Sequence, residues 1–323
     1  MNGSDTPLAY LHTAGPAADP VTRLGWGLAL VSIAVVIIVG ALLVLAVFRK
    51  RHAAAGRSGA PGDSLMPLRE RAGLMWIYVG TGISVAVLFA CAVWTLSTLA
   101  AIAAPGSKPR VVIEVRAFQF WWRVRYLDAS GAVLLTTANE IHIPVGEPVR
   151  FQLTSGDVIH SFWVPSLGGK MDVLPGQTNV TWLQGNTVGR YRGQCGEFCG
   201  AEHAHMALFV DVDTPAAFAQ WVARQRAVAA PPADAATGAQ AFLDKCAGCH
   251  AVRGTDAKGE SGPDLTHLMS RQTIAAGTLP NTAADLGRWI SQTQAVKPGS
   301  EMPVVSLTAT ELGSVVAYLQ TLH

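Results

Sequence analysis

Two long apolar runs open the chain, and short alternating stretches follow them. The first run covers residues 24–48 and is closed by Arg49-Lys50-Arg51-His52; the second covers residues 74–104, holds no charge and stops at Pro105. Each is long enough to cross a bilayer core, which takes about 20 apolar residues as a helix. A secretory signal would place its basic residues before a shorter apolar core, whereas here they come after it. Buried core helices are the remaining reading of such runs, and two in succession favour membrane spans. The loop between them carries Arg49, Lys50, Arg51, Arg57, Arg69 and Arg71 against Asp63 and Glu70. An excess of Lys and Arg marks the cytoplasmic side. Both termini, and everything after Pro105, are then expected outside.

Beyond residue 110 the period changes. Stretches 111–127, 132–137, 149–154, 179–184 and 206–212 are rich in β-branched and aromatic residues and separated by turn residues, so they predict strands of an antiparallel sandwich or barrel. Thr214-Pro215 predicts a helix start, with Pro at the first helical position, and residues 216–228 continue it. Residues 229–236 read as a linker of Pro and small residues. Three further helices are predicted at 237–249, 282–295 and 308–322, the last two opening with Thr-x-x-Asp and Thr-x-x-Glu capping patterns. The expected organisation is an external segment (1–23), a helical hairpin (24–104), an all-β domain (106–228), the linker and an all-α domain (237–323).

Composition narrows the classes of function. Half of the 323 residues are hydrophobic and the net charge is only +2. The first figure suits a chain with membrane spans, and the second provides no basic face for nucleic acid. The five cysteines fall into two close pairs, Cys195/Cys199 and Cys246/Cys249, plus Cys91 alone in the second apolar run. Each pair is followed by a histidine, which favours cofactor sites over structural disulfides. Cys91 reads as a small apolar filler.

The densest chemistry is Cys195-Gly-Glu-Phe-Cys199-Gly-Ala-Glu-His203-Ala-His-Met206. Two thiolates, an imidazole and a thioether are soft to borderline ligands and favour copper over magnesium or calcium. His160, in Asp157-Val-Ile-His160-Ser-Phe-Trp, offers a second imidazole from an apolar segment. A single thiolate would serve one copper, whereas two thiolates can bridge a pair, each copper then taking one imidazole. Such a site is filled by protein and passes electrons instead of binding substrate. A zinc site or a Cys195–Cys199 disulfide is the alternative, though neither gives Met206 a task. His205 is expected to face solvent or a partner.

The second constellation is Cys246-Ala-Gly-Cys249-His250, the attachment sequence of haem c, in which two thiols bond the vinyl groups and the histidine binds iron. An opposite axial ligand is sought in Pro298-Gly-Ser-Glu-Met302-Pro303, with Met269 and His267 as competitors. A Met ligand raises the haem potential, which suits an electron carrier.

On these residues the chain resembles cytochrome c oxidase subunit II, in the form that carries a fused cytochrome c. The pattern Cys-x-Glu-x-Cys-Gly-x-x-His-x-x-Met, the Asp157-Val-x-His160-Ser segment, Val164-Pro-Ser-Leu-Gly-Gly-Lys170 and Asp172-Val-Leu-Pro-Gly176 carry the likeness over residues 20–228. It implies a cupredoxin-like Greek-key barrel. It also implies a binuclear copper centre, CuA, held by His160, Cys195, Cys199, His203, Met206 and the Glu197 backbone carbonyl, with the Glu197 carboxylate reaching a magnesium ion shared with subunit I. The segment from residue 237 resembles class I cytochromes c, which implies axial ligation by His250 and Met302, with Pro263 packed beside His250. The family's Gln-Trp-x-Trp, whose first Trp accepts electrons, reads Gln119-Phe120-Trp121-Trp122 here. Side chains alternate along the predicted strand, so Trp121 faces opposite to Phe120 and does not simply substitute for the family's Trp. Phe120, Trp121 and Trp122 are the candidates for electron entry, with core packing as the other reading of the run.

The resemblance implies an electron-input subunit of a haem–copper cytochrome c oxidase in a bacterial inner membrane. Electrons would pass from an external donor, such as a cytochrome c or a quinol–cytochrome c reductase, to haem c, then CuA, then subunit I. Subunit I, accompanied by subunit III, would reduce oxygen to water with proton translocation. A nitric oxide reductase subunit of the same superfamily, or a membrane-anchored copper-delivery or redox-sensing protein, are the other readings; quinol-oxidising relatives lack the copper ligands. The helical region carries six Lys and Arg (Lys245, Arg253, Lys258, Arg271, Arg288, Lys297) against seven acids (Asp244, Asp256, Glu260, Asp264, Asp285, Glu301, Glu311), so it has no strongly basic docking face. A tether would raise the local donor concentration without one.

Overall fold

The computed structural model describes residues 8–55 and 66–323 and falls into two compact units, one of residues 20–103 and one of the segments 8–19 and 104–323. The hairpin unit consists of α1 (Asp19–Ala55) and α2 (Met66–Ile102). Their apolar stretches, Asp19–Arg49 and Gly73–Ile102, are long enough to cross a membrane. The most apolar window of each is almost wholly exposed, at 0% and 6% buried, so these are not core helices of a soluble protein. Residues 56–65 of the basic loop lie outside the described residues.

The other unit holds the β region and the C-terminal helical region. β1 (Val111–Phe118), β2 (Trp121–Leu127), β3 (Val133–Ala138), β5 (Val149–Ser155) and β8 (Asn179–Leu183) form one five-stranded sheet in the order β3-β2-β1-β5-β8. β4 (Glu140–Pro144), β6 (His160–Trp163), β7 (Met171–Val173), β9 (Gly189–Cys195) and β10 (Ala207–Asp213) form the second, in the order β4-β10-β9-β6-β7. Both sheets are mixed: β1 runs parallel to β5 and β10 parallel to β4, so the purely antiparallel expectation fails there. Alternate residues of β1 and β5 point inward, among them Ile113, Val115, Phe151 and Leu153, each fully buried between the sheets.

The stretch 111–127 is two strands, not one. Gln119 and Phe120 make the tight turn between β1 and β2, and Phe118 pairs with Trp121 across it. Four strands of these two sheets escaped sequence reading. β6 and β7 are very short, and β4 and β9 carry polar or charged residues inside an otherwise covered sheet.

After β10, Thr214 caps α3 (Pro215–Arg226) by accepting from Ala217 N–H. The helical region follows with α4 (Ala236–Lys245), a small hairpin of β11 (Thr273–Ile274) and β12 (Leu279–Pro280), then α5 (Ala283–Ser291), α6 (Thr293–Val296) and α7 (Ala309–Leu319). Thr308 and Glu311 close a reciprocal capping box at the start of α7. α4 ends at Lys245, so the Cys-x-x-Cys-His run lies on the turn beyond the helix, with Cys249 N–H and His250 N–H both donating to Cys246 O. Phe242, Leu286, Ile290, Val315 and Leu319 form this region's core.

The helical region is seated on the β region. Glu140 accepts from the backbone N–H groups of Gln272 (3.0 Å) and Thr273 (3.1 Å), Ala207 N–H donates to Ala276 O (3.1 Å), and Arg123 donates to Glu260 O. Across the linker, Arg253 donates to Gln225 O (2.5 Å), and His267 lies between Ala227 O (3.0 Å) and His323 O (2.5 Å). The segment before α1 packs on the β region too: Ala14 N–H donates to Ser166 O, and Asn186 N–H donates to Ala14 O.

Candidate copper and haem sites

Three segments of the second sheet bring the sulfur and imidazole groups together. β6 carries His160, β9 ends on Cys195, and the loop before β10 carries Cys199, His203 and Met206. The ligand atoms form a connected set: Cys195 Sγ lies 3.8 Å from Cys199 Sγ and 3.8 Å from His160 Nδ1. Cys199 Sγ lies 3.7 Å from His203 Nδ1 and 3.8 Å from Met206 Sδ. The Glu197 carbonyl oxygen is 3.2 Å from Cys195 Sγ.

These separations decide what the set can hold. A tetrahedral ion with bonds of about 2.0–2.3 Å to nitrogen and sulfur spaces its ligand atoms about 3.3–3.8 Å apart. Every neighbouring pair but the Glu197 contact falls in that interval, and the two sulfurs link the two imidazoles in one chain of contacts. The two cysteines are not bonded to each other. The donors fit a pair of copper ions bridged by two thiolates.

The neighbours support the same arrangement. Asp157 sits 2.7 Å from His160 Nε2, which fixes the imidazole so that Nδ1 faces Cys195. Burial works to raise the Asp157 pKa, but hydrogen bonds from His160, Gln119 N–H and Val158 N–H hold it below the usual carboxylate range. Burial works to lower the His160 pKa; Asp157 and the Cys195 thiolate outweigh it and raise it. Contact with the Cys199 thiol draws the Cys195 pKa far down, and the thiolate so formed pushes that of Cys199 up. The pair therefore keeps one proton that bound cations would displace. Trp122, fully buried, sets its ring edge-on to His160 at 6.1 Å.

His205 belongs to a short 3-10 turn, His203–His205, not to a strand. It is exposed and paired with Glu202 at 2.6 Å. Glu197 and Phe198 are exposed beside the buried cysteines, with Phe198 75% accessible. Gln119 was given no role by sequence reading, yet its amide donates to Cys199 O at 2.5 Å. Asp157 was part of a quoted motif without a task; its place three residues before a ligand histidine was the available signal.

The second site is a cavity of about 1400 Å³, counting its open mouth. Cys246, Cys249, His250, Pro263, Met302 and Pro303 line it, together with Gln119, Phe120 and Trp121 from the β region. Burial pushes the Cys246 thiol up to about 11 and the His250 imidazole down. His250 Nδ1 lies 2.9 Å from Pro263 O; with its proton there, Nε2 is left as the ligand atom. Gly262 lies against the imidazole: a Cβ there would come within 2.7 Å of the ring. Arg271 is buried with Nε unpartnered and faces the cavity, as an anionic edge of a bound group requires. A haem with two thioether links and an axial histidine fits this donor set and these walls. Met302 lines the cavity, whereas the competitors Met269 and His267 do not: Met269 packs on the region's core and His267 is committed to the two carbonyls at the linker.

The turn at Gln119–Phe120 corrects the expected alternation of the aromatic run. Strand periodicity does not apply across a turn, so Phe120 and Trp121 line the same cavity. Phe120 is 5% exposed, Trp121 stacks on Phe118 at 5.0 Å, and Trp122 lies in the β core.

Residues 112–212 match the family described as cytochrome c oxidase subunit II, periplasmic domain, and residues 235–323 match cytochrome c. The chain is 34% identical over 304 residues to a protein of Alkalihalophilus pseudofirmus named cytochrome c oxidase subunit 2, spanning 91% of this chain and 84% of that one. A protein of the same name from Bacillus sp. strain PS3 is 33% identical over 265 residues, spanning 76% and 73%. Among solved structures, the periplasmic domain of subunit II of cytochrome oxidase of Bradyrhizobium japonicum aligns at 31% identity over 37% of this chain and 96% of its own, with a TM-score of 0.35.

Proposed function

Since the chain belongs to the cytochrome c oxidase subunit II family, we propose that it is the electron-input subunit of a haem–copper oxidase, holding a binuclear copper centre and a covalent haem c. Cys195, Cys199, His160 and His203 would hold the copper pair, with Met206 and the Glu197 carbonyl as weaker ligands. Cys246 and Cys249 would attach the haem, and His250 and Met302 would ligate its iron. When bound, these groups supply one-electron carriers, the haem nearer the external donor and the copper pair nearer subunit I.

The observation that carries this reading is the shared wall. Gln119 lines the haem cavity and also donates to the carbonyl of Cys199, so a single side chain joins the two sites. A copper set filled by protein donors supports electron transfer as this chain's role, with oxygen reduction to water and proton translocation assigned to subunit I in this reading. The relatives are named as cytochrome c oxidase subunits, which favours oxygen over nitric oxide as acceptor. The exposed Glu197 carboxylate and Phe198 ring beside the copper set suit a face that meets subunit I, where Glu197 reaches a magnesium ion. A cytochrome c or a quinol–cytochrome c reductase is the donor, and subunit III completes the assembly.

The domain limits follow the same reading: hairpin 24–104, copper domain 106–228, linker 229–236 and cytochrome domain 237–323. Both termini lie on the outer side of the bacterial inner membrane. The segment before α1 is hydrogen-bonded to the unit that follows α2, which requires an even number of crossings between them.

The test is metal content and visible absorption of the purified full chain. Two coppers and one iron per chain, with mixed-valence copper bands beside a haem c spectrum, is the expected result. A single copper, or zinc in its place, would overturn the binuclear assignment.

A further inference from the structure

Lys297 is one of the few charged side chains withdrawn from solvent, at 2% exposure. It lies on the turn after α6 in the helical region, yet its ammonium reaches across to the β region. Nζ lies 2.8 Å from Phe120 O, 2.8 Å from His205 O and 3.0 Å from Ala275 O. An ammonium has three N–H donors and no acceptor, so three carbonyls satisfy it. Those carbonyls belong to the turn that walls the haem cavity, to the loop that carries His203 and Met206, and to the β11–β12 turn.

We propose that Lys297 is a positioning residue that clamps the helical region onto the copper loop and fixes the spacing between the haem cavity and the copper ligands. The proposal rests on the reading of the two sites given above. No other charged side chain among the described residues bonds the cavity wall, the copper loop and the haem region together. Glu140 and Arg123 bond the two regions elsewhere, at Gln272, Thr273 and Glu260. Burial pulls the Lys297 pKa down to about 7, and the charge of Glu202, with a smaller contribution from the Cys199 side chain, opposes that fall. Glu202 is itself buried and paired with His205, so a carboxylate stands behind the carbonyl that Lys297 grips.

The clamp does more than add stability, because the elements it joins are the ones between the sites. Losing one charge-assisted hydrogen bond relaxes a docked population by about tenfold. In the holo chain, Lys297→Met is therefore expected to slow electron equilibration between haem and copper by about tenfold or more. Copper and haem spectra should stay as in the wild type, while the copper potential falls because a cation no longer lies behind Cys199. Amide exchange at Ala207, Gln272 and Thr273, which bridge the two regions, should speed up. Wild-type rate, potential and exchange in Lys297→Met would overturn the proposal.

A second arm needs no variant. Treating the wild-type holo chain with an amine-acylating reagent should label exposed Lys170 and Lys258 quickly and Lys297 slowly, as read by peptide mass spectrometry. Labelling of Lys297 as fast as Lys170 would overturn the clamp. A wild-type chain that lacks the copper or haem spectrum would instead sink the reading of the sites, and slow labelling would still be observed.

Discussion

Replacing Asp157 by Asn tests how the copper set is held, because both carboxylate oxygens work as acceptors. Oδ2 accepts Gln119 N–H at 2.6 Å, while Oδ1 accepts Val158 N–H at 2.6 Å and the His160 Nε2 proton at 2.7 Å. An amide keeps one oxygen and presents N–H groups in place of the other. With its oxygen toward His160, the amide nitrogen meets the Gln119 N–H; flipped, it meets the His160 proton. Either way at least one donor loses its acceptor, Gln119 N–H in the first case and both Val158 N–H and the His160 proton in the second, a penalty of about 1–3 kcal/mol for each. The imidazole also loses the anion that holds Nδ1 toward Cys195. Removing such an outer partner of a metal ligand weakens binding by about 10–100-fold, or about 1.4–2.7 kcal/mol. The two estimates agree. The assay is copper retention by the purified full chain against a competing chelator at pH 7, with the haem absorbance as an internal standard. Asp172→Asn, at an exposed site on β7, is the control. Copper affinity within about twofold of the wild type in Asp157→Asn would refute the argument that the carboxylate orients His160.

Three further outcomes are expected. Cys199→Ser removes the bridging sulfur that contacts His203 and Met206, so copper per chain should fall from two toward one and the mixed-valence bands should vanish, as read by metal analysis and electron paramagnetic resonance. Met302→Ala leaves both haem thiols in place, so the haem stays attached while its potential falls by a sizeable part of the roughly 0.8 V that axial ligands span, measurable by spectroelectrochemistry. Burial, opposed by Arg190 and His142, raises the Asp211 pKa to about 6 from 3.8. The folded chain therefore binds more protons than the unfolded one between those values, and this group's contribution is present below pH 4 and lost as pH rises through 6. Asp211→Asn should gain about 3 kcal/mol on the wild type between pH 4 and pH 7 in denaturant titrations, and a constant difference would refute it.

The two chemistries were legible because their residues are close in sequence. Cys195 to Met206 lie on one loop, and Cys246 to His250 on one turn. The apolar runs were legible because a bilayer demands a length that no short core element needs. What stayed hidden depends on contacts across the chain. β4 and β9 carry Glu140 and Arg190, residues that count against a buried strand until they are seen paired at 2.8 Å inside the same sheet. The aromatic run misled because strand alternation was carried through Gln119 and Phe120, where the chain turns. Lys297 offered no signal at all: a lone lysine before Pro-Gly reads as a solvated turn, and only its reach to the carbonyls of Phe120 and His205 gives it a task.

The hydrogen bonds of Ala14 to the β region have a consequence for biogenesis. Ala14 pairs with Ser166 and Asn186, and a side chain at Gly15 would collide with Gln184 O, so this stretch fits only in contact with the folded sheet. Those partners are separated from it by the whole hairpin, residues 20–103. On the proposed topology, a nascent chain exports its first segment, inserts both spans, and meets that segment again after the strand that ends at Leu183 has emerged. The loops after β6 and β8, which hold Ser166 and Asn186, are thus bonded to a piece of chain made before the hairpin. On that topology, the contacts of Ala14 with these loops form only in a chain whose first segment reaches the same side as the β region.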